Sequence, residues 1–129
     1  MVSAITKYDH RLILVAPYGS TMAKVAEDHG LCVAFEAFID RAYTREGRLV
    51  PRTKPSALIE DVDEAVKRAL MIIDKGVVLS IDGYEVEVRA HKLCVHGDSP
   101  KALDFVRRVY EGLREVGVYI KPLREIIGV

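Results

Sequence analysis

The 129-residue chain has the usual size of one domain, and its charge balance argues against two classes of partner. It carries 19 Lys plus Arg and 19 Asp plus Glu, so its formal net charge at pH 7 is zero. No overall field draws in nucleic acid or an anionic membrane, and no apolar stretch has the length of a membrane span or a signal peptide. We therefore expect a single domain over residues 1–129, in the cytoplasm, with no nucleic-acid or membrane partner.

The first part of the chain predicts two strands with a helix between them. RLILVA (11–16) is a continuous apolar run, typical of a strand that is buried on both faces. Ser20 is a suitable N-cap for a helix over TMAKVAEDH (21–29), and Gly30 stands where a left-handed residue commonly ends a helix. LCVAFEAF (31–38) is the second apolar run and predicts the second strand.

A second helix and a hairpin follow a long charged connection. Asp61 is a suitable N-cap for a helix over VDEAVKRALMIIDK, and Gly76 is expected to end it. VVLSI and YEVEV are separated by Asp82-Gly83, which predicts a β-hairpin with a type I′ turn. The inward face of the helix is expected to carry Val62, Val66, Ala69 and Ile73.

The last part of the chain predicts a third strand and a third helix. KLCVHG (92–97) is the strand, and Asp98-Ser99-Pro100 is a typical helix start, with a capping residue followed by proline at the first helical position. Strand, loop and helix thus repeat along the chain, which predicts an α/β fold with a mostly parallel sheet and an inserted β-hairpin. The inward face of the last helix is expected to carry Ala102, Val106, Val109, Leu113 and Val116.

The cysteines and most of the histidines give no pattern of a metal site. Cys32 and Cys94 lie in apolar runs and not in a C-x-x-C pair, so the sequence predicts free buried thiols rather than a disulfide or a zinc site. His10, His29 and His91 are interpreted as incidental, because none has metal-ligand spacing. We expect no metal ligands among these residues, and the sequence leaves open whether the protein uses a metal.

The charged connection FIDRAYTREGRLVPRTKP (38–55) is expected to lie beside the end of the third strand. Ligands of parallel sheets bind beyond the carboxyl ends of the strands. Glu36 and Asp40 come at the end of the second strand, and His96 and Asp98 come at the end of the third, so parallel strands would open both loops on the same side. The arginines of the connection are candidates for holding a carboxylate or a phosphate through two parallel hydrogen bonds.

Each candidate also has a structural explanation that the residues leave open. Asp98 would only cap the last helix, Glu36 would pair with an arginine, and His96 would be a neutral histidine bonded to a backbone carbonyl. Asp40 and Arg41 would form an ion pair that fastens the connection. The other charged residues around Gly47 are expected to be solvated in an exposed turn: Arg45, Glu46 and Arg48.

Two segments carry a resemblance to a known family. EAFIDRAYTREGRLVPR (36–52) and CVHGDSP (94–100) resemble the signature segments of the C-terminal half of the LamB/YcsF family, which is identified with the A-type subunit of the prokaryotic 5-oxoprolinase. The pieces between them are similar in order and spacing. The resemblance implies half of a distorted β/α barrel. It also implies an ATP-coupled hydrolase that opens the lactam of 5-oxo-L-proline to L-glutamate, with B-type and C-type partner subunits and ATP bound through the complex.

Residue chemistry then suggests roles for the candidates. A carboxylate, either Glu36 or Asp40, would steer water or a proton, and His96 would act as acid or base. Arg41 or Arg52 would hold the substrate carboxylate or the developing phosphate charge. Nothing in the sequence decides between Glu36 and Asp40. The predicted catalytic residues are Glu36, Asp40, His96 and Asp98, and the predicted substrate-binding residues are Arg41, Tyr43 and Arg52.

The resemblance also implies a missing neighbour. Members of the family are about twice this length, and their acidic N-terminal motif and Pro-His-Gly motif do not occur here. A part of a barrel would leave open sheet edges and an uncovered apolar face. Another chain would supply the N-terminal half, or two copies would pair as a homo-oligomer, or the chain would have repacked. The first case predicts a hydrolase, and the others predict a non-catalytic assembly or binding module.

Overall fold

The computed structural model describes all 129 residues of the protein. It contains five helices and five strands. No helix is both long and apolar enough to cross a membrane. The helices are α1 (Val2–Tyr8), α2 (Thr21–Asp28), α3 (Val62–Lys75), α4 (Ala102–Glu115) and α5 (Leu123–Ile127). The strands are β1 (Ile13–Pro17), β2 (Cys32–Phe38), β3 (Val77–Leu79), β4 (Glu85–Glu87) and β5 (Lys92–Cys94).

The main sheet has three parallel strands in the order β1-β2-β5. Ile13 of β1 lies opposite Cys32 of β2, and Glu36 of β2 lies opposite Lys92 of β5. The hairpin strands β3 and β4 form a separate antiparallel pair. The predicted α/β fold with a mostly parallel sheet and a β-hairpin is therefore confirmed. Both outer strands of the main sheet, β1 and β5, have one unpaired edge.

Helices α1 to α4 pack on one face of the main sheet. Side chains alternate between the faces of a strand, and Leu14 and Val33 meet the α1 and α2 residues while Ala37 meets α3 and α4. The side chains of Glu36 and Lys92 consequently project from the opposite face of the main sheet. The expectation that the first strand is buried on both faces is wrong, because Ile13 to Val15 are only half-buried.

The predicted caps of the first two long helices are confirmed. Ser20 accepts a hydrogen bond from the Ala23 backbone N–H at 3.2 Å, and Asp61 accepts one from the Glu64 N–H at 3.0 Å. Gly76 ends α3 in the left-handed region, with a φ of +65°. Only glycine takes this conformation without steric strain, which explains why the helix stops there.

Helix α4 begins later than predicted. Its N-cap is Lys101, which makes no side-chain capping bond, so Asp98 does not cap the helix and Pro100 is not its first residue. The buried face carries Phe105, Val109 and Leu113. Val106 and Val116 were expected to point inward but are more than half exposed, because the helix turns a different side toward α3.

Helix α3 also turns a different side toward the core than the sequence predicts. Its buried apolar residues are Ala65, Ala69 and Ile72, and the predicted Ile73 is 42% exposed. Val66 packs against the core as expected. A Cβ at Gly112 of α4 would lie 2.8 Å from Val66 Cγ1, so the glycine allows the two helices to approach closely.

The hairpin turn differs from the predicted type I′. A type I′ turn needs positive φ at both central residues, and Asp82 has no positive φ, whereas Gly83 has a φ of +85°. Gly83 N–H donates to the Ser80 carbonyl at 2.9 Å, and Ser80 N–H donates to the Tyr84 carbonyl at 2.8 Å. The loop therefore has three residues, a form in which a type I turn is followed by a left-handed glycine.

Candidate functional site

The charged connection after β2 folds back on itself and fixes the position of Asp40. Ile59 N–H donates to the Asp40 carbonyl, Ala42 N–H donates to the Ala57 carbonyl, and Val50 N–H donates to the Ala42 carbonyl, each at 2.9 Å. The small side chains of this layer are buried together. The connection is thus a structured layer beyond the carboxyl end of β2, where a parallel sheet positions its ligands.

Asp40 holds His96 through both its backbone and its ring. The His96 backbone N–H donates to Asp40 Oδ2 at 2.7 Å, and His96 Nδ1 lies 3.1 and 3.0 Å from the two carboxylate oxygens. An ionised carboxylate only accepts hydrogen bonds, so Nδ1 carries the proton, and in the neutral imidazole Nε2 is then the acceptor. Phe38 stacks on the imidazole with ring centroids 5.4 Å apart. The ring is therefore oriented as in an acid–base pair.

A cavity of about 330 Å³ opens beside this pair. Its size is at the small end of the range of ligand sites. Four of the seven predicted site residues line it: Asp40, Arg52, His96 and Asp98. Lys101 and Glu60 also line it and were missed by the sequence analysis, because a single Lys or Glu at a helix start or in a loop gives no recognisable signal.

Arg52 and Asp98 form an ion pair at the rim of the cavity. Arg52 Nη1 donates to Asp98 Oδ2 at 2.8 Å, and both side chains are partly exposed. The hydrogen bond from Arg52 holds the pKa of the Asp98 carboxyl below its ordinary value and raises the pKa of Arg52. Asp98 thus bonds to an arginine 46 residues away and not to the helix that follows it.

We expect Arg52→Met to raise the pKa of Asp98 toward the ordinary aspartate value of about 3.9. The depressed pKa of Asp98 means that the pair stabilises the fold above that ordinary value, and that this stabilisation is lost as the pH falls through the folded-state pKa. The effect on unfolding is small because the pair is exposed. NMR titration of the Asp98 carboxyl carbon measures the shift, and an unchanged midpoint in the variant would contradict the assignment.

Glu36 lies away from the cavity, on the sheet face that the helices leave open. Its Oε2 pairs with Lys92 Nζ of the neighbouring strand, so its partner is a lysine and not the expected arginine. Cys94 lies on the same face and its pKa is raised, chiefly by burial. Cys32 and Cys94 are both free, as predicted, but are half-buried. The catalytic role of Glu36 stays a prediction.

Arg41 and Tyr43 are buried in the structured connection and do not line the cavity. Arg41 Nη2 donates to the Val50 carbonyl at 2.8 Å, and Arg41 forms no ion pair with Asp40, which corrects the expected loop pair. The Phe38 N–H donates to Tyr43 Oη at 2.9 Å, and burial raises the pKa of Tyr43. Their substrate-binding roles stay predictions.

Two residues interpreted as solvated or incidental make defined contacts outside the site. Arg45 pairs with Asp82 and lies over the Tyr84 ring, 3.7 Å from its centroid, so it ties the connection to the hairpin. His91 Nδ1 accepts a hydrogen bond from the Phe35 N–H at 2.9 Å. No group of three or more His, Cys, Asp and Glu side chains is arranged to hold a metal ion.

These features define a parallel α/β protein with a carboxylate–histidine pair beyond the ends of its strands. The profile of the LamB/YcsF family matches residues 1–128, and the chain belongs to this family. The 5-oxoprolinase A subunit of Pyrococcus abyssi is 44% identical over 128 residues, which cover 99% of this chain and 50% of that protein. The corresponding protein of Paracidovorax citrulli is 43% identical over 122 residues, covering 95% of this chain and 49% of that protein.

A solved structure is similar as well. The crystal structure of a lactam utilization protein from Thermus thermophilus superposes with a TM-score of 0.86 and 41% sequence identity. The match covers 93% of this chain and 47% of that one. The resemblance inferred from the two segments is confirmed. The chain spans about half the length of the relatives that it matches.

Proposed function

We propose that this chain provides part of the active site of a cytoplasmic 5-oxoprolinase, as the C-terminal half of its A-type subunit. The observation that carries the proposal is the Asp40–His96 pair beside a cavity of about 330 Å³. Relatives that are named as the A subunit of 5-oxoprolinase support this reaction. The substrate would be 5-oxo-L-proline, a small lactam with one carboxylate, and the product would be L-glutamate.

In the proposed reaction His96 acts as the base and Asp40 orients it. Nε2 of His96 accepts a proton from the water whose oxygen attacks the lactam carbonyl carbon, while Asp40 stabilises the imidazolium that forms. The carbon–nitrogen bond then breaks, and the imidazolium returns the proton to the leaving nitrogen. Asp40 takes this role in preference to Glu36, because Glu36 pairs with Lys92 outside the cavity.

The cations of the cavity would bind the substrate carboxylate. Arg52 is engaged with Asp98, and Lys101 lies in the lining without an ion pair. Either side chain offers charge-assisted donors to a carboxylate. We propose that Arg41 holds the connection rather than the substrate, because its Nη2 is bonded to the Val50 carbonyl.

ATP would activate the lactam carbonyl, a poor electrophile, by transferring its γ-phosphoryl group to the carbonyl oxygen with release of ADP. Water attack and breakage of the carbon–nitrogen bond would then leave an acyl phosphate of glutamate, and a second water would release inorganic phosphate. The sequence contains no G-x-x-x-x-G-K phosphate loop. We therefore propose that ATP binds through B-type and C-type partner subunits. The chain's own contribution is the acid–base pair and the carboxylate contacts.

The proposed missing half would cover the open face of the sheet. Glu36, Lys92 and Cys94 lie on that face, and the outer edges of β1 and β5 are unpaired. The relatives contain about as many residues again as this chain. A second polypeptide with the N-terminal half of the family would therefore extend the sheet at an edge and enclose the face.

The proposal is tested by reconstitution. We expect the chain alone to give no glutamate from 5-oxoproline and ATP, and we expect glutamate formation when the N-terminal half and the partner subunits are added. The matched control is the same mixture without this chain. Full activity in that control, or none in the complete mixture, would contradict the proposal.

A non-catalytic assembly module is the second candidate, and one observation favours it. Leu103, Val106 and Tyr110 form an exposed apolar stripe on α4, of the kind that marks contact with another protein. In this case two copies would pair through the stripe and the open sheet. Light scattering would give a homodimer mass, and the purified dimer would produce no glutamate in the complete mixture.

A further inference from the structure

Arg68 of α3 is a buried arginine without a carboxylate partner. It is 8% exposed and forms no ion pair. Its Nη2 donates to the Arg41 carbonyl at 2.8 Å, and its Nη1 lies 3.4 Å from the Leu79 carbonyl. Its Nε has no hydrogen-bond partner. The guanidinium thus reaches from the helix to the charged connection and to the hairpin.

This arrangement is costly for helix packing alone. Burial of a charged group removes it from water, and desolvation lowers the pKa of Arg68. The nearby charged or titratable groups are Glu64, Tyr43 and Asp40, and none of them is bonded to the guanidinium. An apolar side chain of similar length would occupy the space between α3, the connection and the hairpin without this desolvation cost. Arg68 is therefore better explained by its hydrogen bond to the Arg41 carbonyl than by helix packing.

The Arg41 carbonyl is one residue beyond the carboxylate that orients His96. The other side of this backbone is held by the bond from the Ile59 N–H to the Asp40 carbonyl at 2.9 Å. Arg68 therefore anchors the backbone on the helix side, and Ile59 anchors it on the connection side. A shift of this backbone would move the Asp40 oxygens, which lie 3.0 and 3.1 Å from His96 Nδ1.

We propose that Arg68 is a positioning residue: by donating to the Arg41 carbonyl it fixes the backbone at Asp40, and so fixes the tautomer and orientation of His96. Arg68 touches neither the acid–base pair nor the cavity beside that pair. The catalytic consequence rests on the proposed function. The effect on His96 is independent of any substrate.

The test compares Arg68→Met, which removes the donors, with Arg68→Lys, whose ammonium keeps one charged donor of nearly the same reach. Lys67→Met on the exposed side of the same helix is the matched control. Nitrogen-15 NMR of the His96 ring reports its tautomer. We expect the Nδ1–H tautomer in the wild type, in Lys67→Met and in Arg68→Lys, and a mixture of tautomers in Arg68→Met. In the reconstituted enzyme Arg68→Met should lower kcat about tenfold to a hundredfold with KM little changed.

Two outcomes would overturn the proposal. One is an unchanged His96 tautomer in a folded Arg68→Met variant, and the other is an Arg68→Lys variant that behaves like Arg68→Met. If Arg68→Met does not fold, Arg68→Gln replaces it, since its side chain stays polar but is too short to donate to the Arg41 carbonyl. A partial loss of the Nδ1–H tautomer would then support the proposal, and no loss would overturn it. If Arg68→Met changes the tautomer of His96 but the wild-type complex makes no glutamate, the result contradicts the proposed function and not the positioning role of Arg68.

Discussion

Asp40→Asn is expected to lower kcat of the reconstituted enzyme by about 10²–10⁴-fold, the usual contribution of a positioned acid–base group. The asparagine has the shape of aspartate, and its amide oxygen still accepts from the His96 backbone N–H. Its amide N–H₂ donates to Nδ1, however, so the imidazole proton moves to Nε2 and the ring no longer accepts a proton from water. Steady-state kinetics of glutamate release measures the loss.

Asp63→Asn is the matched control for this substitution. Asp63 is an exposed aspartate of α3 that pairs with Arg108 at 3.2 Å, far along the chain from the acid–base pair. We expect kcat of this variant to stay within about twofold of the wild type, because exposed pairs contribute little. Circular dichroism checks that both variants fold. Equal kcat values for Asp40→Asn and the wild type would show that Asp40 does not orient a catalytic group.

Ile39→Ala is expected to lower the free energy of unfolding by about 2–5 kcal/mol, the usual cost of truncating a buried isoleucine. Ile39 is fully buried in the main core, at the point where β2 passes into the connection. The substitution removes apolar contacts and leaves a cavity that a packed core only partly closes. Urea unfolding, followed by circular dichroism, measures the change.

Ile81→Ala serves as the control, because Ile81 is 48% exposed at the hairpin turn. Exposed substitutions usually change stability by less than about 0.5 kcal/mol. If the two isoleucine variants unfold at the same urea concentration, the core described around Ile39 is wrong. A large decrease in the free energy of unfolding for Ile81→Ala alone would show that the hairpin, rather than β2, contributes most to stability.

The sequence predicted the elements whose signals are local. Ser20 and Asp61 cap their helices through hydrogen bonds to residues three positions away, and Gly76 needs only its own backbone conformation. The meeting of Asp40 with His96 was also predictable, because parallel strands bring their carboxyl ends to one edge. The hydrogen bonds between them, across 56 residues, were not predicted, because the sequence also allowed Asp40 to pair with Arg41.

The errors come from contacts between distant residues. Asp98 resembles a helix cap in sequence, but its carboxylate pairs with Arg52, so α4 starts at Ala102. Apolar periodicity also placed Val106 inward, because a helix with apolar residues on two sides does not reveal which side meets its neighbour. Arg68 gave no signal, since a basic residue in a helix usually lies on the surface.

The two unpaired edges of the main sheet also differ in their tendency to aggregate. Strand β5 carries Lys92, and a charged lysine on an edge strand opposes the addition of a strand from another molecule. Strand β1 has the sequence ILVAP, with no charged residue over Ile13–Pro17 and with proline only at its end. Apolar, uncharged strands of high β-propensity are common starting points for intermolecular β-sheet. Aggregation of this protein should therefore begin at β1, and a lysine introduced there is the most direct way to suppress it.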